Sequence, residues 1–224
     1  MQPISVHPSP NHGPRPDGAI IDMLVLHYTG MVDADAALQR MTDVAAEVSA
    51  HYMVREDGTI YQLVDEARRA WHAGVACWRG YEDINSRSVG IELVNPGHEF
   101  GYRAFPEPQM TALISLATGI VARHTIAARN IIGHSDVAPA RKTDPGELFN
   151  WQRLAATGLG LWPKRTNGDL QNHSSMLAQY GYDTRDTGAA LTAFQRHFRP
   201  TNIDGKPDDE CAQLLAGLLE HIRI

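Results

Sequence analysis

The chain has 224 residues, of which 43% are hydrophobic and 21% charged, and its formal net charge is -6. That length accommodates one sizeable core and a small appendage, so one or two domains are expected. Because Lys and Arg form no basic footprint, the composition excludes a typical nucleic-acid-binding protein. The two cysteines, Cys77 and Cys211, lie far apart in the sequence and indicate no disulfide framework.

Residues 1–18, MQPISVHPSPNHGPRPDG, are polar and rich in proline. They lack the basic start and apolar centre of a secretory signal, and no apolar run in the chain approaches the length of a membrane span. The sequence as given is therefore expected to be cytoplasmic. A periplasmic location is the alternative if a signal has been removed.

The first part of the chain shows alternating strand and helix patterns. Residues 20–26, IIDMLVL, read as a buried strand with His27 at its end. Residues 33–48 place apolar side chains at spacings of three and four, which predicts a helix with one buried stripe. Residues 51–64 then predict a hairpin whose turn contains Gly58.

The middle of the chain continues this alternation. Residues 88–94, SVGIELV, predict a strand in which Glu92 is a lone acid among apolar residues. A long helix is expected over 106–124, with proline suited to its first turn. Residues 130–133, NIIG, then predict a short strand that ends at His134.

The C-terminal part predicts a separate small unit. After a short helix expected over 146–157, residues 158–169 have the glycine and proline content of a linker. Three short helices are predicted beyond it, and Gly181 is placed as the C-cap of the first. The predicted domains are thus a catalytic unit, 1–160, and a three-helix unit, 169–224, that is too small to be stable without support from the first.

Residues 131–149, IIGHSDVAPARKTDPGELF, concentrate chemically active side chains. His134 and Asp144 are candidate ligands of a catalytic zinc ion, which takes three protein ligands and leaves a fourth position open. Pro145 favours extended geometry in the preceding residue, so Lys142 is expected to project to the same side as Asp144. A cation beside a metal ligand suits a site that stabilises a developing oxyanion.

His27 is the best placed third ligand, because α/β folds collect their sites at the carboxyl ends of strands. Glu92 is then the natural general base, which takes a proton from water and delivers it to a leaving nitrogen. The reaction class indicated is metal-assisted hydrolysis of an amide or ester. Spacing alone also allows a structural interpretation in which His27 is a buried, hydrogen-bonded histidine. Three further residues compete as ligands: His51, His72 and Cys77.

Four blocks of the sequence resemble a known family in the same order and with similar spacing. They are LVLHYTG, REDGTIYQLVDEARRAWHAG, NSRSVGIELVNPG and GHSDVAPARKTDPG, and they extend over about residues 5–160. They are similar to the zinc-dependent N-acetylmuramoyl-L-alanine amidases of the AmpD and AmiD type. The resemblance implies an α/β fold with a central mixed β-sheet flanked by helices and with zinc in a cleft above it.

The resemblance also implies roles for individual residues. His27, His134 and Asp144 match the zinc ligands, Glu92 the catalytic carboxylate, and Lys142 the lysine that stabilises the oxyanion. The implied substrates are peptidoglycan fragments or anhydro-muropeptides, in which water cleaves the amide between muramic acid and L-alanine. Cell-wall recycling and wall remodelling are both open as the setting.

Two further assignments follow from the resemblance. The AWHAG block implies substrate contacts at Trp71, His72 and Ala73, although Trp71 could equally be a core residue and His72 a hydrogen-bond partner behind the ligands. The C-terminal helices resemble a peptidoglycan-binding domain, although their apolar residues suit a bundle core just as well.

Two alternatives to an enzyme remain. One is a peptidoglycan recognition module of the same fold that has lost hydrolysis; the presence of all five matching residues argues against it. The other is a structural protein in which the metal only ties loops together, which a closed fourth coordination position would support.

Overall fold

A computed structural model describes residues 3–222. The two predicted domains extend beyond this range at their outer ends, by residues 1–2 and by residues 223–224. The strands are β1 (Ile4–Val6), β2 (His12–Pro14), β3 (Met23–Tyr28), β4 (Tyr52–Val54), β5 (Ile60–Gln62), β6 (Arg68–Ala70), β7 (Ser88–Leu93) and β8 (Ile131–Gly133). The α-helices are α1 (Ala34–Thr42), α2 (Ile84–Arg87), α3 (Gly97–Phe100), α4 (Glu107–His124), α5 (His134–Val137), α6 (Trp151–Ala156), α7 (His173–Tyr180), α8 (Thr187–Phe198) and α9 (Asp209–Ile222).

Six strands form the main sheet, in the order β1-β5-β4-β7-β3-β8. Strands β4, β7, β3 and β8 run parallel to one another, whereas β5 runs antiparallel to β4 and parallel to β1. Strands β2 and β6 form a separate antiparallel ribbon. The predicted mixed sheet flanked by helices is confirmed, and so is the predicted hairpin, which β4 and β5 form.

One face of the sheet is covered by the long helix α4. Leu24 and Leu26 of β3, together with Val89, Ile91 and Leu93 of β7, lie in one buried apolar cluster with the inner side of α4. This arrangement follows from the alternation of side chains along a strand, which sends every second residue to the same face. The predicted helix over 106–124 is confirmed.

The opposite face is shared by the C-terminal helices and the candidate site. Met23 and Val25 of β3 and Ile132 of β8 belong to a buried cluster that also contains residues of α7, α8 and α9. The three predicted helices are present, and Gly181 caps α7 at φ 147°. The bundle therefore shares a core with the sheet, as expected for a unit too small to stand alone.

Two helix boundaries differ from the sequence-based predictions, and both differences come from capping side chains. Helix α1 ends at Thr42 because Asp43 leaves the helical conformation and accepts a hydrogen bond from the Ala45 amide, which starts a short 3-10 turn. Helix α6 begins at Trp151 because Asn150 caps it.

Within residues 3–222, no helix combines the length and the apolar character needed to cross a membrane. Cys77 is partly exposed, Cys211 is buried, and both are free thiols.

Candidate metal centre and active site

Two parallel neighbouring strands bring the two candidate histidine ligands together. Leu26 of β3 pairs with Gly133 of β8. A histidine follows each of these two residues in the chain, so His27, still within β3, and His134, the first residue of α5, emerge side by side at the carboxyl edge of the sheet. His27 is the fifth of the six residues of β3, within the strand and not after it as the sequence suggested.

The third candidate ligand, Asp144, comes from the loop that follows α5. The His27 Nδ1 atom lies 3.0 Å from His134 Nδ1 and 3.0 Å from Asp144 Oδ2, and His134 Nδ1 lies 3.1 Å from Asp144 Oδ2. All three side chains are buried, and their ligand atoms could hold one metal ion. Two ligands of a tetrahedral ion at about 2.0–2.1 Å would be roughly 3.3 Å apart, so the triangle has the size of a metal site.

A chain of hydrogen bonds fixes the protonation of His27. The Ser88 hydroxyl donates to the Ile84 carbonyl at 2.7 Å, so Ser88 Oγ accepts from His72 Nε2 at 3.1 Å. Burial, and next the charges of His27 and His51, lower the pKa of His72 well below its usual value, so its Nδ1 is an acceptor. His27 Nε2 donates to that atom at 3.0 Å, which leaves the lone pair of His27 Nδ1 directed at the site.

His134 is oriented in the same way by the backbone. Its Nε2 donates to the carbonyl of Ala73 at 3.0 Å, so in the neutral ring Nδ1 is the acceptor and faces the site. The three facing atoms of His27, His134 and Asp144 are therefore acceptors that repel one another. A proton could bridge only one pair of them, whereas a cation satisfies all three, so the donor set fits a metal ion.

The carboxylate of Glu92 takes part in none of the hydrogen bonds that orient the candidate metal ligands. Its Oε2 atom is buried and has no hydrogen-bond partner within residues 3–222. Burial, followed by the negative charge of Asp144, raises the pKa of Glu92 well above its usual value, and the positive charge of Lys142 opposes this only in part. A carboxyl group with a raised pKa, placed beside a metal site, is suited to receiving and returning a proton.

Two of the three candidate metal ligands line a pocket of about 370 Å³. His134 and Asp144 line it together with Glu92 and Lys142. The prediction that Lys142 shares a side with Asp144 agrees with this placement. Arg141 forms part of the same wall and donates to the backbone carbonyls of the segment that carries Ala73.

The remaining predicted site residues lie in different surroundings. Of the three predicted substrate contacts, His72 lines the pocket, Ala73 is fully buried, and Trp71 is not among the lining residues. His51 accepts a hydrogen bond from the Gly90 amide through Nδ1, so this nitrogen is bonded within the sheet and does not face the candidate metal site. Cys77 lies in a different groove. Ser88 and Gly90, which the sequence-based reasoning did not single out, hold His72 in place.

Hydrolysis is the reaction class that this fold and this site fit together. A candidate metal site beside a pocket, a carboxyl group with a raised pKa and a lysine are the groups that metal-assisted attack of water on an amide requires. The family model described as N-acetylmuramoyl-L-alanine amidase matches residues 17–147. The N-acetylmuramoyl-L-alanine amidase AmiD of Escherichia coli K12 is 41% identical in an alignment 231 residues long, gaps included, that covers 89% of this chain and 83% of that protein. The 1,6-anhydro-N-acetylmuramyl-L-alanine amidase AmpD of Enterobacter cloacae is 35% identical in an alignment 166 residues long, gaps included, that covers 66% of this chain and 87% of that protein.

Solved structures agree with these sequence matches. Escherichia coli AmiD in complex with anhydro-N-acetylmuramic acid-L-Ala-D-gamma-Glu-L-Lys superposes with a TM-score of 0.82 at 38% identity, over 92% of both chains. AmpDh3 of Pseudomonas aeruginosa superposes with a TM-score of 0.81 at 33% identity, over 93% of this chain and 95% of its own. The chain belongs to the N-acetylmuramoyl-L-alanine amidase family, and it is an enzyme of that family.

Proposed function

We propose that this protein is a zinc-dependent amidase that hydrolyses the bond between N-acetylmuramic or anhydro-muramic acid and the L-alanine of a stem peptide. One observation carries the proposal: three metal-ligand atoms lie 3.0–3.1 Å apart beside the pocket that Glu92 and Lys142 line. Two imidazoles and one carboxylate suit catalytic zinc, which keeps its fourth position for water or substrate. The pocket beside the ligands supports this role over that of a closed structural site.

Zinc held by His27, His134 and Asp144 would supply Lewis acidity, which polarises a carbonyl group and makes water more acidic. Glu92 accepts the proton of the attacking water. The raised pKa of Glu92 then favours delivery of that proton to the amide nitrogen of L-alanine as the carbon–nitrogen bond breaks. One carboxyl group thus serves as base and then as acid.

Lys142 stabilises the negative charge that develops on the carbonyl oxygen during water attack. Its ammonium group is the only lysine charge among the residues that line the pocket, and it opposes the rise in the Glu92 pKa. A cation fixed where charge develops lowers the barrier more than it strengthens binding of the uncharged amide.

The substrate proposal rests on the relatives. A solved AmiD complex contains an anhydro-muramoyl peptide, and this chain covers 92% of that structure at 38% identity. We therefore favour soluble anhydro-muropeptides, as in cell-wall recycling, with intact peptidoglycan as the competing substrate. Direct substrate contact by Trp71, His72 and Ala73 stays a prediction, as do peptidoglycan binding by the C-terminal helices and the cytoplasmic location.

Mass spectrometry of reaction products tests the proposal. Purified protein is incubated with an anhydro-muramoyl peptide and, separately, with isolated wall sacculi, each with and without a zinc chelator. We expect release of free stem peptide that the chelator abolishes and added Zn²⁺ restores, with the anhydro-muramoyl peptide used faster. If zinc is bound and neither substrate releases peptide, the protein is a recognition module and the proposal is wrong.

A further inference from the structure

A second buried carboxylate, Asp136, lies two residues after His134 in helix α5, and the proposed mechanism does not use it. Its side chain is 1% exposed. The Oδ2 atom accepts from the Gly133 amide at 2.7 Å and from His197 Nδ1 at 2.7 Å, and the Oδ1 atom accepts from the Tyr182 hydroxyl at 2.7 Å. Three donors therefore hold both oxygens of a single carboxylate.

The donors come from two different parts of the chain. Gly133 ends strand β8 and is the N-cap residue of α5, so its bond to Asp136 shapes the turn from which His134 projects. His197 belongs to α8, and Tyr182 follows the C-cap of α7. The C-terminal bundle thus supplies two of the three bonds that fix this turn.

Packing holds both donors of the bundle in place. The His197 ring stacks on Trp151 with 3.8 Å between ring centroids, and it is 4% exposed. Tyr182 is also buried and packs edge-on against Trp78. A buried carboxylate is costly to leave with missing donors, so loss of either bond would shift Asp136 towards a new arrangement.

We infer that the C-terminal bundle positions a metal ligand: Tyr182 and His197 hold Asp136, and Asp136 holds the Gly133 turn that aims His134. The inference rests on the proposed role of His134 as a zinc ligand. The family model ends at residue 147, so both bundle donors lie outside the segment that it matches. The bundle is therefore part of the metal centre of this chain, whatever else it binds.

Removal of a single hydroxyl group tests this inference in the chain of 224 residues. Tyr182→Phe removes the bond to Asp136 and keeps the ring. Tyr180→Phe is the matched control, because Tyr180 is equally buried, packs edge-on against the same Trp78, and makes no side-chain hydrogen bond through its hydroxyl within residues 3–222. The zinc dissociation constant is measured by competition with a chromophoric chelator, and the stability of the metal-free protein by urea unfolding.

We expect Tyr182→Phe to weaken zinc binding about 10-fold, as loss of partners behind metal ligands commonly does, and Tyr180→Phe to change it less than about twofold. His197→Phe should weaken zinc binding as well, because it keeps the ring stacked on Trp151 and removes the donor. His197→Asn should recover part of the affinity, since its amide can donate from a similar position.

Exchange of the Gly133 amide proton with solvent, followed by NMR in the metal-free protein, gives a readout that does not depend on zinc. It should accelerate in Tyr182→Phe and stay unchanged in Tyr180→Phe. A wild-type protein that binds zinc no more tightly than Tyr182→Phe overturns the inference alone, even if the variant is less stable. A wild-type protein that binds no zinc, or His134→Ala that retains full affinity, overturns the proposed function and the inference with it.

Discussion

His27 and Glu92 are register partners on the neighbouring parallel strands β3 and β7. Partners at the same register of a parallel pair project to the same face, so the candidate metal ligand His27 and the proposed proton carrier Glu92 lie side by side on one face of the sheet. Their surroundings differ in one respect. His27 is held through Nε2 by its hydrogen bond to His72, whereas one oxygen of Glu92 has no hydrogen-bond partner among the described residues.

Glu92→Gln should abolish most turnover and leave the zinc content unchanged. General acid–base catalysis typically contributes about 10²–10⁴-fold, so kcat should fall by at least about 100-fold. The folded state should become slightly more stable, because a buried carboxylate without a partner is replaced by a neutral amide. Steady-state kinetics, metal analysis and thermal unfolding measure the three quantities. Loss of zinc from this variant would mean that Glu92 is a ligand and not a base.

Lys142→Ala should lower kcat with little change in KM. A charge that acts on the developing oxyanion contributes about 2.7–4 kcal/mol in comparable sites, which corresponds to about 10²–10³-fold in rate. Kinetics over a range of muropeptide concentrations separate the two constants. Lys164→Ala is the control, since Lys164 is a lysine in the linker and lies outside the pocket lining. Unchanged kcat in Lys142→Ala would remove this residue from the mechanism.

Much of the fold could be predicted because its patterns are long or strongly periodic. The helix over 106–124 and the strand that carries Glu92 have clear apolar periods, and both are present. The short strands β1, β2 and β6 have three residues each and no such period, so no apolar pattern indicated them. Their pairing depends on distant partners, as β1 shows by joining β5.

The candidate ligands could be named from the sequence because histidine and aspartate next to strand ends carry chemical meaning by themselves. The residues that orient these ligands could not be named from the sequence. Ser88 and Gly90 have no distinguishing feature in the sequence, and only the fold shows that His72 lies against them. Asp136 likewise resembles any other acidic residue, because its partner Tyr182 is 46 residues away in the chain. Glycine inside a strand was a usable signal, because it often marks a close approach of another group.

Gly90→Ala should weaken zinc binding, although Gly90 is not one of the candidate metal ligands. A Cβ atom at Gly90 would lie 2.6 Å from the His72 ring, so the ring must move and its hydrogen bond to His27 is lost. The zinc dissociation constant should rise about 10–100-fold. Gly13→Ala is the matched control, because Gly13 is also a strand residue and a Cβ there would lie 3.9 Å from its nearest neighbour, Trp71 Nε1. Equal zinc affinity in both variants would contradict the positioning role of His72.

Glu66 should make the free energy of unfolding depend on pH in the acid range. Burial alone would raise the pKa of Glu66, but hydrogen bonds from Arg123, Tyr52 and His124 outweigh it and lower this pKa to about 2. Because the pKa is lower in the folded state than in the unfolded chain, the stabilisation is complete above about pH 4.5. It is lost as the pH falls from there towards 2.

Urea unfolding of wild type and Glu66→Gln at several pH values measures this effect. The wild type should be more stable at pH 7 by about 1–2 kcal/mol, a value reduced from the full pKa shift because the group is partly exposed to solvent. The difference should shrink steadily below pH 4.5 and approach zero at about pH 2. Effects common to both proteins, such as metal release, cancel in it. Glu107→Gln removes an exposed acid that pairs with Arg153, so it should show little difference at any pH. A Glu66→Gln difference that stays constant from pH 7 to pH 3 would show that the charge of Glu66 does not stabilise the fold.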